Sequence, residues 1–295
     1  MKIAGHTLGT PGMTVPEALK LFADAGLDAA EIIWQEGYTA AIPETGAATL
    51  LKETRQVADD LGLDIAGLTP YMSAYNSLDE VERLHDLDRL RRCIDDAVTL
   101  GCRHIRVYAG SFKPGDDRRD EKWARLVESM HVAGEIAHTA GVTLCVENHF
   151  NTMTVTAAET VALMEAVHSP GVGILYDQAN LVFTHSEPYE VAIPLQAAWI
   201  RHVHVKDLIF IDPTRPFTAD AVARVKAEDR AIRSRVVGEG ILEWPNILKA
   251  LRAVGYDGYL SLEYEYRWHP QDLPEPAVGF RAGGEAVRRI LQTLE

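Results

Sequence analysis

Residues 202–207 read His-Val-His-Val-Lys-Asp, two histidines two apart in a valine-rich run. In an extended strand, residues two apart share a face. Val203 and Val205 therefore share one face, and His202, His204 and Lys206 share the other. Three more runs split the same way. In residues 142–148, Leu144 and Val146 oppose Thr143, Cys145 and Glu147. In residues 171–180, Asp177 lies on the face of Gly173 and Leu175. In residues 258–265, Leu260 and Leu262 oppose Tyr259, Ser261 and Glu263. With the apolar faces turned to a helical layer, Glu147, Asp177, His204 and Glu263 point into a common interior. Three buried carboxylates around one axis repel and are costly to desolvate, and a divalent cation resolves both. Two glutamates, one aspartate and one imidazole form an oxygen-rich set that suits Mn²⁺ best; Mg²⁺, Co²⁺ and Zn²⁺ also fit. No thiolate belongs to the set, which argues against a closed structural zinc site.

Such a set needs strands that converge on one axis. Strand-like runs begin near Lys2, Ala29, Asp64, Arg103, Val142, Val172, Ile200 and Gly258, with helical patterns between them. The clearest helical run spans Leu78–Leu100, with Leu84, Leu87, Leu90, Ile94 and Val98 three or four apart. Ser77 is its expected N-cap and Gly101 its stop. A second runs from Glu121 to Ala140 and ends at Gly141. Eight alternating units predict a single (β/α)8 TIM barrel, an α/β fold, filling residues 1–295 as one domain. A doubly wound sheet is the rival, but residues 6–12, His-Thr-Leu-Gly-Thr-Pro-Gly, do not form its phosphate loop. The four candidate ligands then sit at C-terminal strand ends, where barrel enzymes keep their chemistry. The long connection from Asp207 to about Glu243 is expected to cover part of the mouth.

Composition narrows the function classes. The formal net charge is −14, which repels nucleic acid and anionic membranes. No apolar run approaches a membrane span, and the first residues lack the pattern of a secretory leader. Cys93, Cys102 and Cys145 have no paired spacing and read as reduced core residues of a cytoplasmic protein. The partner is therefore expected to be a small molecule.

The segments GVTLCVEN, GILYDQAN, IRHVHVKD, VVGEGILEWPNIL and GYDGYLSLEYE, in this order, resemble the xylose isomerase-like barrel superfamily. Its members are sugar phosphate isomerases and epimerases, and include ketose 3-epimerases, inosose dehydratases and endonuclease IV. The superfamily's metal ligands fall on Glu147, Asp177, His204 and Glu263. The resemblance implies an isomerase or epimerase, dependent on a divalent metal, that acts on a sugar or sugar-like hydroxyketone. Glu147 and Glu263 would be its two catalytic carboxylates, moving the proton alpha to the carbonyl through a metal-bound enediolate. It also implies a carbohydrate or polyol-derived substrate and a homo-oligomer built through mouth loops. Two departures point to a lyase on the same scaffold as the alternative: an inosose- or dehydroshikimate-type dehydratase, or a lyase of a glycosidic bond beside a keto sugar. Asn180 stands where the ketose epimerases carry a histidine, and Lys206 and Asp207 follow the paired histidines in a form more like the dehydratase and unassigned isomerase branches. The acidic charge and a ligand set sized for one ion argue against an endonuclease.

Other inward polar residues are candidate substrate contacts. Lys206 continues the His204 face toward the mouth, Asn180 follows Asp177, and His149 keeps the parity of Glu147. Arg106 and Tyr108 share a face in strand four, and His6 ends strand one. Glu31 lies in strand two, Tyr71 follows strand three, and Arg267, Trp268 and His269 follow strand eight. His202 reads as a deeper interior histidine and His185 as an exposed loop residue. The segment Gly238-Glu239-Gly240 with Trp244 is expected to shape the mouth.

Overall fold

Short apolar runs form the eight inner strands because β-branched side chains fit a pleated, covered surface. The computed structural model describes residues 1–214 and 230–294. The barrel strands are β1 (Lys2–His6), β2 (Ala29–Trp34), β3 (Asp64–Thr69), β4 (His104–Tyr108), β5 (Thr143–Glu147), β6 (Val172–Asp177), β7 (Ile200–Val205) and β8 (Tyr259–Leu262). The helices are α1 (Val15–Asp24), α2 (Ala48–Leu61), α3 (Glu80–Leu100), α4 (Arg119–Thr139), α5 (Ala157–Val167), α6 (Gln178–Phe183), α7 (Tyr189–Gln196), α8 (Trp244–Ala253) and α9 (Pro276–Thr293). Neighbouring strands pair in parallel, and β1 pairs with both β8 and β2, so the sheet closes into a (β/α)8 barrel. A two-residue strand, Ala41–Ile42, adds to the end of β2. No described helix is long and apolar enough to cross a membrane.

The two faces of each strand separate in the packing. Ile105, Val107, Leu144, Val146, Val203, Val205, Leu260 and Leu262 belong to the main apolar core shared with the helices. Inside the barrel, Ala4, Ala29 and Ala66 form a separate small cluster with Tyr259 against it. These small side chains leave the interior above them to polar groups.

Helix ends correct one expectation. Helix α3 starts at Glu80, and its N-cap is Asp79, which accepts from Val81 N at 2.8 Å. Ser77 stands outside the helix, and its hydroxyl accepts from Asp79 N. Two adjacent cap-competent residues are hard to rank from sequence, but an aspartate adds favourable charge at the positive helix end. Gly101 ends the helix as expected, with φ at 71°.

The connection after β7 opens with a two-stranded antiparallel ribbon, Asp207–Phe210 against Ile232–Arg235; its residues 215–229 lie outside those described. Asp207 fastens the ribbon to the Gly-Glu-Gly segment. Its carboxylate accepts from the backbone N–H of Leu208, Gly238, Gly240 and Leu242 at 2.9–3.2 Å. A Cβ on Gly240 would stand 2.0 Å from Asp207 Oδ1, so no side chain fits there. Asp207→Ala leaves buried N–H groups without an acceptor, and the expected loss is about 3 kcal/mol in urea unfolding. Gly240→Ala is expected to lose about 1–3 kcal/mol by overpacking the same turn. Wild-type midpoints for both would contradict this anchoring.

Candidate active site

At the C-terminal rim of the barrel, β5, β6, β7 and β8 bring Glu147, Asp177, His204 and Glu263 together. Each offers a ligand atom within 4.8 Å of the others, and all four are buried. His204 Nδ1 lies 3.7 Å from Glu147 Oε1, 4.0 Å from Asp177 Oδ2 and 3.4 Å from Glu263 Oε2. That nitrogen is buried without a hydrogen-bond partner. Asp177 also caps α6, where its Oδ1 accepts from Asn180 N at 2.9 Å. Its Oδ2 makes no aligned hydrogen bond, although Lys206 Nζ is 2.9 Å away.

Two buried cations flank the cluster on different sides. Arg106 Nε donates to Glu147 Oε2 at 2.7 Å, and another guanidinium nitrogen donates to the Pro70 carbonyl at 3.0 Å. The guanidinium also lies over the rings of Tyr108 and Tyr71, at 3.6 and 5.0 Å from their centroids. Lys206 Nζ donates to Glu263 Oε2 at 2.6 Å. Burial opposes ionisation of both glutamates. Arg106, His204 and His149 together outweigh it at Glu147, and Lys206 with His204 outweighs it at Glu263, so both carboxyls sit below their ordinary range. At Asp177 burial wins over Lys206 and pushes the carboxyl up to about 6. Breaking one partner of such a buried pair costs about 3–5 kcal/mol. Arg106→Leu is therefore expected to destabilise the fold by that amount, with Glu147→Gln in the same chain recovering a large part. An unchanged melting temperature for Arg106→Leu would contradict the pairing.

Beneath the cluster sits Glu31, 1% exposed. It is within hydrogen-bond distance of His202 Nε2, at 2.8 Å, and of His204 Nε2, at 3.1–3.2 Å. Four buried carboxylates against two buried cations leave two negative charges when the imidazoles are neutral. A divalent cation balances them. The orphaned His204 Nδ1 and the unaligned Asp177 Oδ2, both facing one space, fit the same ion.

A profile of the xylose isomerase-like TIM barrel family matches residues 19–289. The chain belongs to this family. Inosose dehydratase from Geobacillus thermodenitrificans is 28% identical over 146 residues, which is 50% of this chain and 48% of that protein. The chain thus spans about half the length of the curated relatives it matches. Among solved structures, a D-tagatose 3-epimerase-like protein superposes with a TM-score of 0.78 at 19% identity, covering 100% of this chain and 98% of the other. A probable 3-DHS dehydratase from Bacillus anthracis superposes with a TM-score of 0.77 at 19% identity, covering 98% and 99%. At these identities the two structures speak for the fold alone.

The remaining expected contacts divide by depth in this xylose isomerase-like barrel. His149 packs edge-on against Tyr108, with ring centroids 4.9 Å apart, at the wall beside Glu147. Asn180 is buried; its Nδ2 donates to Glu147 Oε1 at 3.0 Å and to the Asn148 carbonyl at 2.9 Å. His6 lies a layer deeper, fully buried, and both ring nitrogens are occupied by Leu8 N and Thr69 Oγ1. Glu31 lies in that deeper layer too, behind His204. Arg267 covers the Tyr38 ring at 3.9 Å and Trp268 is exposed, so both stand at the rim, while His269 is buried. His185 is exposed and stacks on Phe210, with ring centroids 5.3 Å apart.

Proposed function

We propose that this chain is a divalent-metal-dependent enzyme that removes the proton alpha to the carbonyl of a sugar- or polyol-derived hydroxyketone. Glu147, Asp177, His204 and Glu263 would hold the ion, with Mn²⁺ the first choice for this oxygen-rich set. When bound, the ion supplies Lewis-acid polarisation of the carbonyl and takes up the charge that proton loss leaves.

Elimination is the reading the geometry favours, and one observation carries it: Lys206 Nζ lies 2.6 Å from Glu263 Oε2 and 2.9 Å from Asp177 Oδ2. Glu263 is 7% exposed while Glu147 is fully buried, so Glu263 faces the mouth and takes the carbon-bound proton. Against burial, Asp177 and Glu263 hold the Lys206 ammonium proton more tightly than usual; once Glu263 has taken the carbon-bound proton and lost its charge, that hold loosens and Lys206 donates to the departing β-hydroxyl. The C–H and C–O bonds break, a C=C bond forms, and water leaves. The proton gained by Glu263 then passes to Lys206, restoring both groups. The match to inosose dehydratases, which by their name dehydrate an inosose, supports the same outcome.

Epimerisation shares the first step and is the second reading. It needs a further base that returns a proton to the same carbon. Glu147 is the candidate, but both of its oxygens are engaged, by Arg106 and Asn180. Arginine releases no proton at ordinary pH. The site thus has one flank that exchanges protons and one that holds charge.

Lys206→Met separates the two readings. Under elimination, alkene formation falls by about 10²–10⁴-fold while deuterium exchange at the alpha carbon survives. A stereoisomer accumulating with no alkene, in wild type and variant alike, would establish the epimerase instead.

A further inference from the structure

Under the ligand cluster, the hydrogen bonds of His6, Thr69, His202 and His204 converge on one carboxylate, Glu31. The backbone N–H of Leu8 can only donate, so His6 accepts through Nδ1, at 3.0 Å, and carries its proton on Nε2. His6 Nε2 then donates to Thr69 Oγ1 at 3.1 Å. The threonine hydroxyl, having accepted there, donates to Glu31 Oε1 at 2.5 Å. His202 Nε2 donates to Glu31 Oε2 at 2.8 Å, and His204 Nε2 approaches both carboxylate oxygens at 3.1 and 3.2 Å. Strands β1, β2, β3 and β7 all contribute to this one centre.

We propose that Glu31 is a positioning residue: by accepting the Nε2–H of His204 it fixes that ring so that Nδ1 is presented to the metal. This rests on the metal reading above. The ring of His204 lies between Glu31 and the three ligand carboxylates, with one nitrogen toward each side. A ring whose Nε2–H is held by a carboxylate has its remaining lone pair on Nδ1, the side where Glu147, Asp177 and Glu263 converge. Thr69 and His6 hold Glu31 in turn. Glu31 therefore has no access to a substrate and does not belong to the contacts.

His6, Glu31 and His204 are also close enough to hold a second cation. The hydrogen bonding speaks against it. The atoms of Glu31, His6 Nε2 and His204 Nε2 are all engaged, whereas His204 Nδ1 and Asp177 Oδ2, which lack an aligned partner, lie on the other side of the His204 ring.

Glu31→Gln tests the assignment. The amide offers one acceptor and a donor group where three donors converge, so at least one must turn away. For His204 that means carrying the proton on Nδ1, against the metal. Calorimetric titration with Mn²⁺ is expected to show one ion per wild-type chain and about 10–100-fold weaker binding in Glu31→Gln. Thr69→Val, which removes a single donor to Glu31, is expected to weaken binding less. Nitrogen-15 NMR of the diamagnetic Zn²⁺-loaded wild-type protein is expected to show His204 protonated at Nε2 and metal-bound at Nδ1. That spectrum decides the matter even if Glu31→Gln does not fold. Equal Mn²⁺ affinity in a folded Glu31→Gln, or His204 bound through Nε2, would overturn the proposal. Two ions per wild-type chain, one of them lost in Glu31→Gln, would replace it with a second cation site. A wild-type protein that takes up no ion would overturn the metal reading itself, and this inference with it.

Discussion

Glu263→Gln is expected to lower the rate of alpha-proton removal by about 10³-fold, within the range for losing a positioned base. The glutamine keeps the shape and a hydrogen-bond partner for Lys206, so the fold should be retained. It loses the capacity to accept a proton. It also removes one negative charge from the ligand set, which weakens the ion. The two effects separate by titration: at saturating Mn²⁺ the loss in kcat persists if Glu263 is the base and vanishes if it serves as ligand alone. Glu147→Gln provides the comparison. Its carboxylate is pinned by Arg106 at 2.7 Å and Asn180 at 3.0 Å. Its replacement is expected to weaken metal binding and release Arg106 as an unpaired buried cation, so stability falls as well as rate. A Glu263→Gln enzyme with wild-type kcat would sink the assignment of the base.

His204→Ala is expected to weaken Mn²⁺ binding by at least about a hundredfold, because the only imidazole in the set is lost. His202→Ala is the control two residues away. Its ring is buried against Glu31 and stacks on His104 with centroids 5.7 Å apart. Removing it opens a cavity and takes one donor from Glu31. A fall in melting temperature with a loss of affinity of about tenfold or less is therefore expected. Calorimetric titration of both variants checks the order. Equal loss in the two, or retention of metal by His204→Ala, would exchange their roles.

The barrel and the convergence of Glu147, Asp177, His204 and Glu263 were legible because alternation is a local rule. Each strand carries its apolar and polar faces in five or six residues, and the barrel makes the polar faces meet. What those side chains touch was not legible. Glu31 meets His202 and His204 across 171 and 173 residues of chain, and nothing local to the apolar run Ala29–Trp34 names its partners. A glutamate inside such a run does signal a buried, paired carboxylate, but it read equally as a substrate contact. The same holds for Arg106, whose inward parity was plain while its hold on Glu147 depends on the pairing of β4 with β5. Asp207 looked like the end of a strand motif, yet it gathers backbone N–H groups more than thirty residues away. Lys206 was foreseen on the His204 face. Its placement between Asp177 and Glu263, on which the proposed elimination rests, needed the closed barrel.

The most direct test is proton exchange. The Mn²⁺-loaded protein would be incubated in D₂O with ketoses, inososes and 3-keto sugars, quenched with chelator, and followed by NMR beside Glu263→Gln. The account predicts deuterium at the carbon alpha to the carbonyl, together with an alkene and released water or another leaving group. It predicts neither in Glu263→Gln. Metal-loaded protein that exchanges no alpha proton in any hydroxyketone, or exchange that persists unchanged in Glu263→Gln, would contradict it.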